Sequence, residues 1–266
     1  MAFTIDRIRR ITSYAAANKL AQDNHGVAID IGDILYTIKD ISNFSISNSA
    51  ETADAVDGLG NVIDTYLRSK SAEMSGENAI FDLPLAAAMA GTKVTNGSVD
   101  IQFHDILKVP AGATEVTLSK TPKTGGEPEL VYTVNTDGTL DKKIVVSAGG
   151  DASYAGGKIT FKEALSAEAE VSIFVPYTYT EDHATKFENF ADAATIPSRI
   201  VVEGLGRDVC DHHQVYFYIT APYAELSYDG EFGFATDSTY SFTLNCKKPY
   251  CDENSGLYAV IVVDAE

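Results

Sequence analysis

"SGENAIFDLPLAAAMAGTKV", residues 75–94, is the stretch on which the fold turns. The chain around it reads as strands and turns, whereas almost every side chain in its second half is small. Pro84 is compatible with a helix only near the first turn, and Gly91 is placed to end one, so the spacing predicts a short helix from about Leu83 to Ala90. Ser75 or Asn78 would cap its start, with Glu77 and Asp82 in or near the first turn, where the helix dipole favours acids. Small residues let a helix lie close against a flat surface. The expectation is a mainly β protein in which one flanking helix is laid on a sheet, or in which copies of the chain lie side by side.

Immediately before it, "VIDTYLRSKSAEMS" alternates as a strand does. The polar segment "NSAETADAVDGLGN", residues 48–61, carries Glu51, Asp54, Asp57, Gly58 and Gly60 and reads as a solvated loop. "VAIDIGDILYTIKDISNFSIS" reads as a strand pair turning at Gly32-Asp33. The first twenty residues have helical character: Ile5, Ile8, Ile11 and Leu20 fall roughly on one face, and Ala15 to Ala17 favour helix.

After the helix the texture changes. Residues 99–182 hold short alternating strands ("TEVTLSK", "ELVYTVN", "KIVVSA", "KITFKEA", "EVSIFVPYTYT") separated by "KTGGEP", "NTDGT", "AGGD" and "AGGK". Even strand spacing with Gly-rich turns predicts a small inserted β-sandwich of immunoglobulin-like architecture, without the cysteines or tryptophan of an antibody domain. Longer strands then return in "SRIVVEGLGRDVC", "HQVYFYITAPYAELSYD", "EFGFATDSTYSFTLNCKK" and "GLYAVIVVD". The organisation that follows is a core in two halves, residues 1–98 and 183–266, split by an autonomous module at 99–182.

Composition narrows the function. The 38 acids against 20 bases give a net charge of -18, which repels phosphate and argues against binding DNA by counterion release. No apolar run reaches the length of a membrane helix, and the N-terminus mixes charge instead of following the secretory pattern, so synthesis in the cytoplasm is expected. Three cysteines, Cys210, Cys246 and Cys251, suit reduced thiols better than a disulfide framework.

The chemistry-bearing motifs are thin. Cys210, His212, Cys246 and Cys251 are weak metal candidates, because zinc takes such ligands but the spacing is not a standard one. Small buried strand cysteines explain the same residues. There is no Gly-x-Ser-x-Gly elbow, no phosphate loop, and "VEGLGRD" lacks the third glycine and following helix of a dinucleotide site. No enzyme activity and no cofactor are expected. Long strands, one helix and an inserted sandwich fit an assembly subunit whose strand edges are satisfied by neighbours.

"ISNFSISNSAETADAVDGLGNVIDTYLRSKSAEMSGENAIFDLPLAAAMAGT" taken with "PSRIVVEGLGRDVCDHHQVYFYITAPYAELSYDGEFGFATDSTYSFTLNC" resembles the major tail tube proteins of long-tailed bacteriophages, in the form with an inserted β-sandwich. The likeness covers residues 28–98 and 185–264. It implies a β-sandwich or half-barrel whose copies form hexameric rings, stacked into a hollow conduit for genome ejection. The protein would then sit in the virion tail. Its partners would be itself, tail proteins such as a sheath, terminator or tape-measure protein, and DNA that passes without specific binding; no membrane is involved.

On that resemblance, residues 48–61 would reach a neighbouring ring, making Glu51, Asp54, Asp57, Gly58 and Gly60 stacking candidates. Arg7 and Arg10 belong to the one basic cluster, which would dock on an acidic neighbour or form a solvated face. Asp64, Glu73, Glu203 and Glu225 would line the lumen, where carboxylates let a duplex slide. The insert would project outward. Alternatives are a capsid-decorating or other head protein and, from another class, a carbohydrate-binding or adhesin module.

Overall fold

A computed structural model describes residues 2–16, 28–39, 41–227, 233–236, 238–249 and 256–264. The fold is mainly β, with one helix among the described residues. The chain divides into two compact units, Met1–Thr95 with Lys186–Glu266, and Asn96–Thr185.

The first unit is built on an eight-stranded antiparallel sheet. Its strands are β1 (Phe3–Ala15), β2 (Ile34–Ile38), β3 (Ile41–Val56), β4 (Val62–Asn78), and, after the second unit, β12 (Ser198–Asp208), β13 (Gln214–Leu226), β14 (Tyr240–Cys246) and β15 (Ala259–Asp264). Their order is β2-β1-β12-β13-β14-β4-β3, with β15 added to β13 beside β14. Alternation decides which face is buried. On β13, Val215, Phe217, Ile219 and Ala221 point to the core, and a bulge between Ala221 and Ala224 lets Ala224 and Leu226 continue on that side. The sheet curls so that β1 and β3 come near each other across the core, with Ile41, Phe44 and Ile46 packing on it.

The helix α1 (Leu83–Met89) packs on β2. Asp82, not Ser75 or Asn78, is its cap, accepting from the Leu85 amide at 2.8 Å, while Ser75, Glu77 and Asn78 belong to β4, which keeps pairing with β14 as far as Asn78. Gly91, at φ 71, closes the helix; a Cβ there would stand 2.3 Å from the Ala194 carbonyl oxygen. Ala86, Ala87 and Ala88 are buried by their own subunit, which accounts for their small size.

The N-terminal segment corrects the helical expectation: residues 3–15 are a strand. Ile5, Ile8 and Ile11 recur at intervals of three because two bulges each add a residue to β1. Their partners on β12 are Gly206, Gly204 and Val202, two apart, so all three isoleucines stay on one face. Ala17 and Leu20 lie outside the described residues.

Residues 48–61 are likewise not a loop. They complete β3, make a five-residue turn and lead into β4. The strand pair expected at 27–47 is also different: the chain turns at Ile31-Gly32, and β2 pairs with β1.

The second unit has two sheets. One, ordered β5-β11-β7-β8, contains β5 (Thr95–Val109), β7 (Leu130–Val134), β8 (Leu140–Val145) and β11 (Val171–Lys186). The other is β6-β10-β9, from β6 (Glu115–Thr117), β9 (Ala152–Ala155) and β10 (Lys158–Phe161). Val131, Ile144, Ile159, Ile173 and Val175 form its buried cluster. Asp105, buried, accepts from the Ser119 amide at 2.8 Å and the Tyr177 hydroxyl at 2.9 Å. Those contacts satisfy its carboxylate.

Candidate self-assembly interface

The first unit has a part that its own core does not cover. From Ala72 to Asn78, β4 lies between β3 and β14; from Val62 to Ser71, among the described residues, it pairs only with β3. The two long strands therefore run on as a free hairpin arm. Its tip is a defined structure. Asp57 accepts from the amides of Leu59 and Asn61, both at 2.8 Å, and from the Asn61 side chain at 2.9 Å, and Gly60 takes φ 87 to close the turn. The Asn61 side chain, followed by those amides, holds the Asp57 carboxyl below the usual range.

This arm displays apolar side chains to solvent. Leu59 is 89% exposed and Ile63 70%, and Val56, Val62, Tyr66 and Leu67 are also exposed. Leu67 pairs with Thr52 and Tyr66 with Ala53, so apolar groups occupy both faces of the ribbon. Charge accompanies them. Asp54, which accepts from Thr65 Oγ1 at 2.7 Å, and Asp64 stand on the arm, and Glu51 sits nearer its base opposite Arg68, a 3.9 Å exposed pair that contributes little.

Of the residues singled out from sequence, Glu51, Asp54, Asp57, Gly58 and Gly60 are thus all gathered in the arm. Asp64 is there too, away from the other lumen candidates. Glu73, Glu203 and Glu225 share the sheet face turned away from the core: Glu225, Asn245, Glu73 and Ser47 form one cross-strand row, and Glu203 pairs with Arg10 and Tyr218. Two of them are neutralised locally. Arg10 donates to both Glu203 oxygens, at 2.7 and 2.9 Å, and Lys247 donates to Glu225 at 2.6 Å. Arg7 lies on the same strand as Arg10, on the half that β2 does not cover.

The metal candidates are dispersed. Cys246 is buried on the core face of β14 opposite Ala224, and Cys210 is exposed in the β12–β13 turn beside His212, which takes φ 61. Ten residues of β13 separate Gln214, next to that turn, from Ala224, about 33 Å of strand. Cys251 lies outside the described residues. Burial pushes the Cys246 thiol up to about 11. Asp208, Asp211 and His213 do converge, with potential ligand atoms within 4.8 Å of one another. Their contacts are those of the turn itself: Asp208 accepts from the Cys210 amide at 2.7 Å, and Asp211 contacts the His213 amide and ring.

Sequence reasoning passed over Val56, Leu59, Val62, Ile63, Tyr66 and Leu67. The signal was present as apolar residues on either side of "DGLGN" at both alternation phases, which no one-sided strand would carry.

The family model described as the YomU/Tube protein family matches residues 28–261. No curated protein matches the chain. The match takes in β2 to β4 with the arm, the second unit, and β12 to the start of β15, leaving β1 outside, and the chain belongs to that family, one of phage tube-related structural proteins.

Proposed function

Proceeding from membership of a tube-protein family, we propose that this chain is the subunit of a phage tail tube, assembling as hexameric rings that stack into a hollow conduit for genome ejection. The observation that carries the proposal is the arm, a structured hairpin with apolar side chains on both faces that no other described residue of the chain covers. Water-exposed apolar surface of that kind marks an interaction site. Strand edges that are unpaired among the described residues, on β3 and on the outer side of β15, supply further surfaces that neighbouring copies would satisfy.

The lumen would be the face that bears Glu73, with Ser47 and Asn245 beside it. Polar and acidic groups there give a passing duplex no counterion-release sites to bind. The ion pairs at Glu203 and Glu225 make this face nearly neutral along those rows, so strong repulsion of a duplex is not expected from them.

Negative-stain electron microscopy of the purified protein across a concentration series tests the reading. Hollow tubes of uniform diameter are expected. A monomer that instead binds preformed capsids would replace it with a head-decorating role.

A further inference from the structure

We propose that the tip of the β3–β4 arm in one copy seats in the groove between β1 and β3 of the next copy, so that subunits join head to tail. The inference rests on the self-assembly reading above and names the surface that receives the arm.

The groove has a volume of about 440 Å³ and is lined chiefly by Ile5, Ile8, Ile41, Phe44 and Ile46, with Phe217 beneath. Ile5 is 66% exposed, an unusual state for an isoleucine on the core-facing side of a strand. Among the described residues both walls are unpaired strand edges. The strand β2 pairs with β1 only from Ile11 to Tyr14, and β3 is paired only on its β4 side. The cleft thus offers apolar side chains and free backbone donors and acceptors together.

The arm has the matching properties. A ribbon apolar on one face would settle on a flat patch, but one apolar on both faces removes more surface from water by entering a cleft. Charge supplies one pairing. Residues 52–67 hold Asp54, Asp57 and Asp64 with no lysine or arginine. At the groove Arg7 and Asp6 stand on the β1 wall, Arg7 being the cation the arm would meet, while Arg9 lies over the Tyr216 ring on the other sheet face, 6.0 Å from its centroid, and Arg10 is held by Glu203. The other acid close by, Glu77, accepts from the Asn43 side chain at 2.8 Å.

A copy cannot fill its own groove. Ile46 at the groove and Val56 at the tip are ten residues apart on one continuous strand, about 33 Å. Donor and acceptor surfaces therefore differ; a reciprocal exchange of arms would close as a two-fold dimer, whereas the head-to-tail join proposed here is heterologous. Such contacts propagate into rings or open filaments and do not stop at a dimer.

Two charge-altered proteins test the pairing: Asp54→Lys with Asp64→Lys, which makes a basic tip, and Arg7→Glu, which beside Asp6 makes an acidic groove. Circular dichroism establishes that each is folded, and pelleting with electron microscopy reads assembly. Each alone is expected to need at least tenfold more protein to assemble than wild type. An equimolar mixture is expected to recover, since a basic tip then meets an acidic groove and an acidic tip a basic one. If wild type forms tubes and the mixture does not recover, the groove is not the acceptor, although the tube reading stands. A disulfide between Leu59→Cys and Ile5→Cys copies, in a Cys210→Ser, Cys251→Ser background, reads the contact without requiring tubes. Cross-linking without tubes keeps the pairing and removes the tail-tube reading; neither cross-link nor tubes overturns both.

Discussion

At the scale of the residue, the sheet depends on close approaches that only glycine permits. A Cβ on Gly204 would fall 2.0 Å from the Phe217 ring, its cross-strand partner, and that ring in turn meets Phe3 at 5.7 Å. Gly204→Ala is expected to cost about 1–3 kcal/mol through overpacking, measured as a shift in the denaturant midpoint. An unchanged midpoint would mean that the ring moves aside freely. The glycines of "VEGLGRD" are therefore packing features of β12, with Phe3 lying over Gly206 as Phe217 does over Gly204. Cys246 gives a pH test. Its native thiol titrates near 11 and its unfolded thiol near 9.0, because burial disfavours the thiolate. The unfolded chain therefore releases this proton first as pH rises. Stability falls through pH 9 to 11 by on the order of 1.4 kcal/mol per pH unit from this group, and is unaffected by it below that window. Denaturation at pH 8.5 and 10.5 is expected to show a steeper alkaline loss in wild type than in Cys246→Ala; equal slopes would show that this thiol ionises freely in the native state.

At the scale of the element, the sequence was legible wherever one period ran undisturbed. The helix at Leu83–Met89 and the strand through Met74 could be read because proline, glycine and alternation marked them. The N-terminal strand could not. Two bulges turned its period of two into a spacing of three, the signature of a helix, and nothing in residues 1–15 distinguishes a bulged strand from one. The arm was hidden for another reason: acids and glycines beyond the core look like a loop, yet paired backbones make a hairpin with no buried face at all. The polar residues of the arm were singled out by resemblance to a family, and its apolar side chains were not. For the helix, Asp82→Ala removes the single side-chain cap and is expected to cost about 1 kcal/mol by chemical denaturation. Ser75→Ala, on β4, should cost less, since its hydroxyl meets only that of Ser45 across an exposed pair. The opposite ranking would return the cap to the position first inferred from sequence.

At the scale of the whole molecule, each compact unit has its own buried cluster. One runs through Ile11, Met74, Ile200, Phe217 and Leu244, the other through Val131, Ile159, Ile173 and Val175. Composition marked a change near residues 99 and 182, but β5 and β11 run through the junctions unbroken, so sequence texture has no means of fixing the boundary there. The junction itself is narrow. Thr95 Oγ1 donates to the Lys186 carbonyl at 3.4 Å, which puts the two ends of the first unit side by side. A chain in which a short flexible linker joins Thr95 to Lys186 is therefore expected to keep its cooperative unfolding transition and to assemble at wild-type concentration, because the arm, the groove and the sheet all belong to the first unit. The excised segment 96–185 is expected to unfold cooperatively by itself, its two sheets enclosing their own core. A shortened chain that folds but no longer assembles would place an essential contact on the second unit. One that fails to fold would show that the two cores stabilise each other, and the division into independent units would have to be given up.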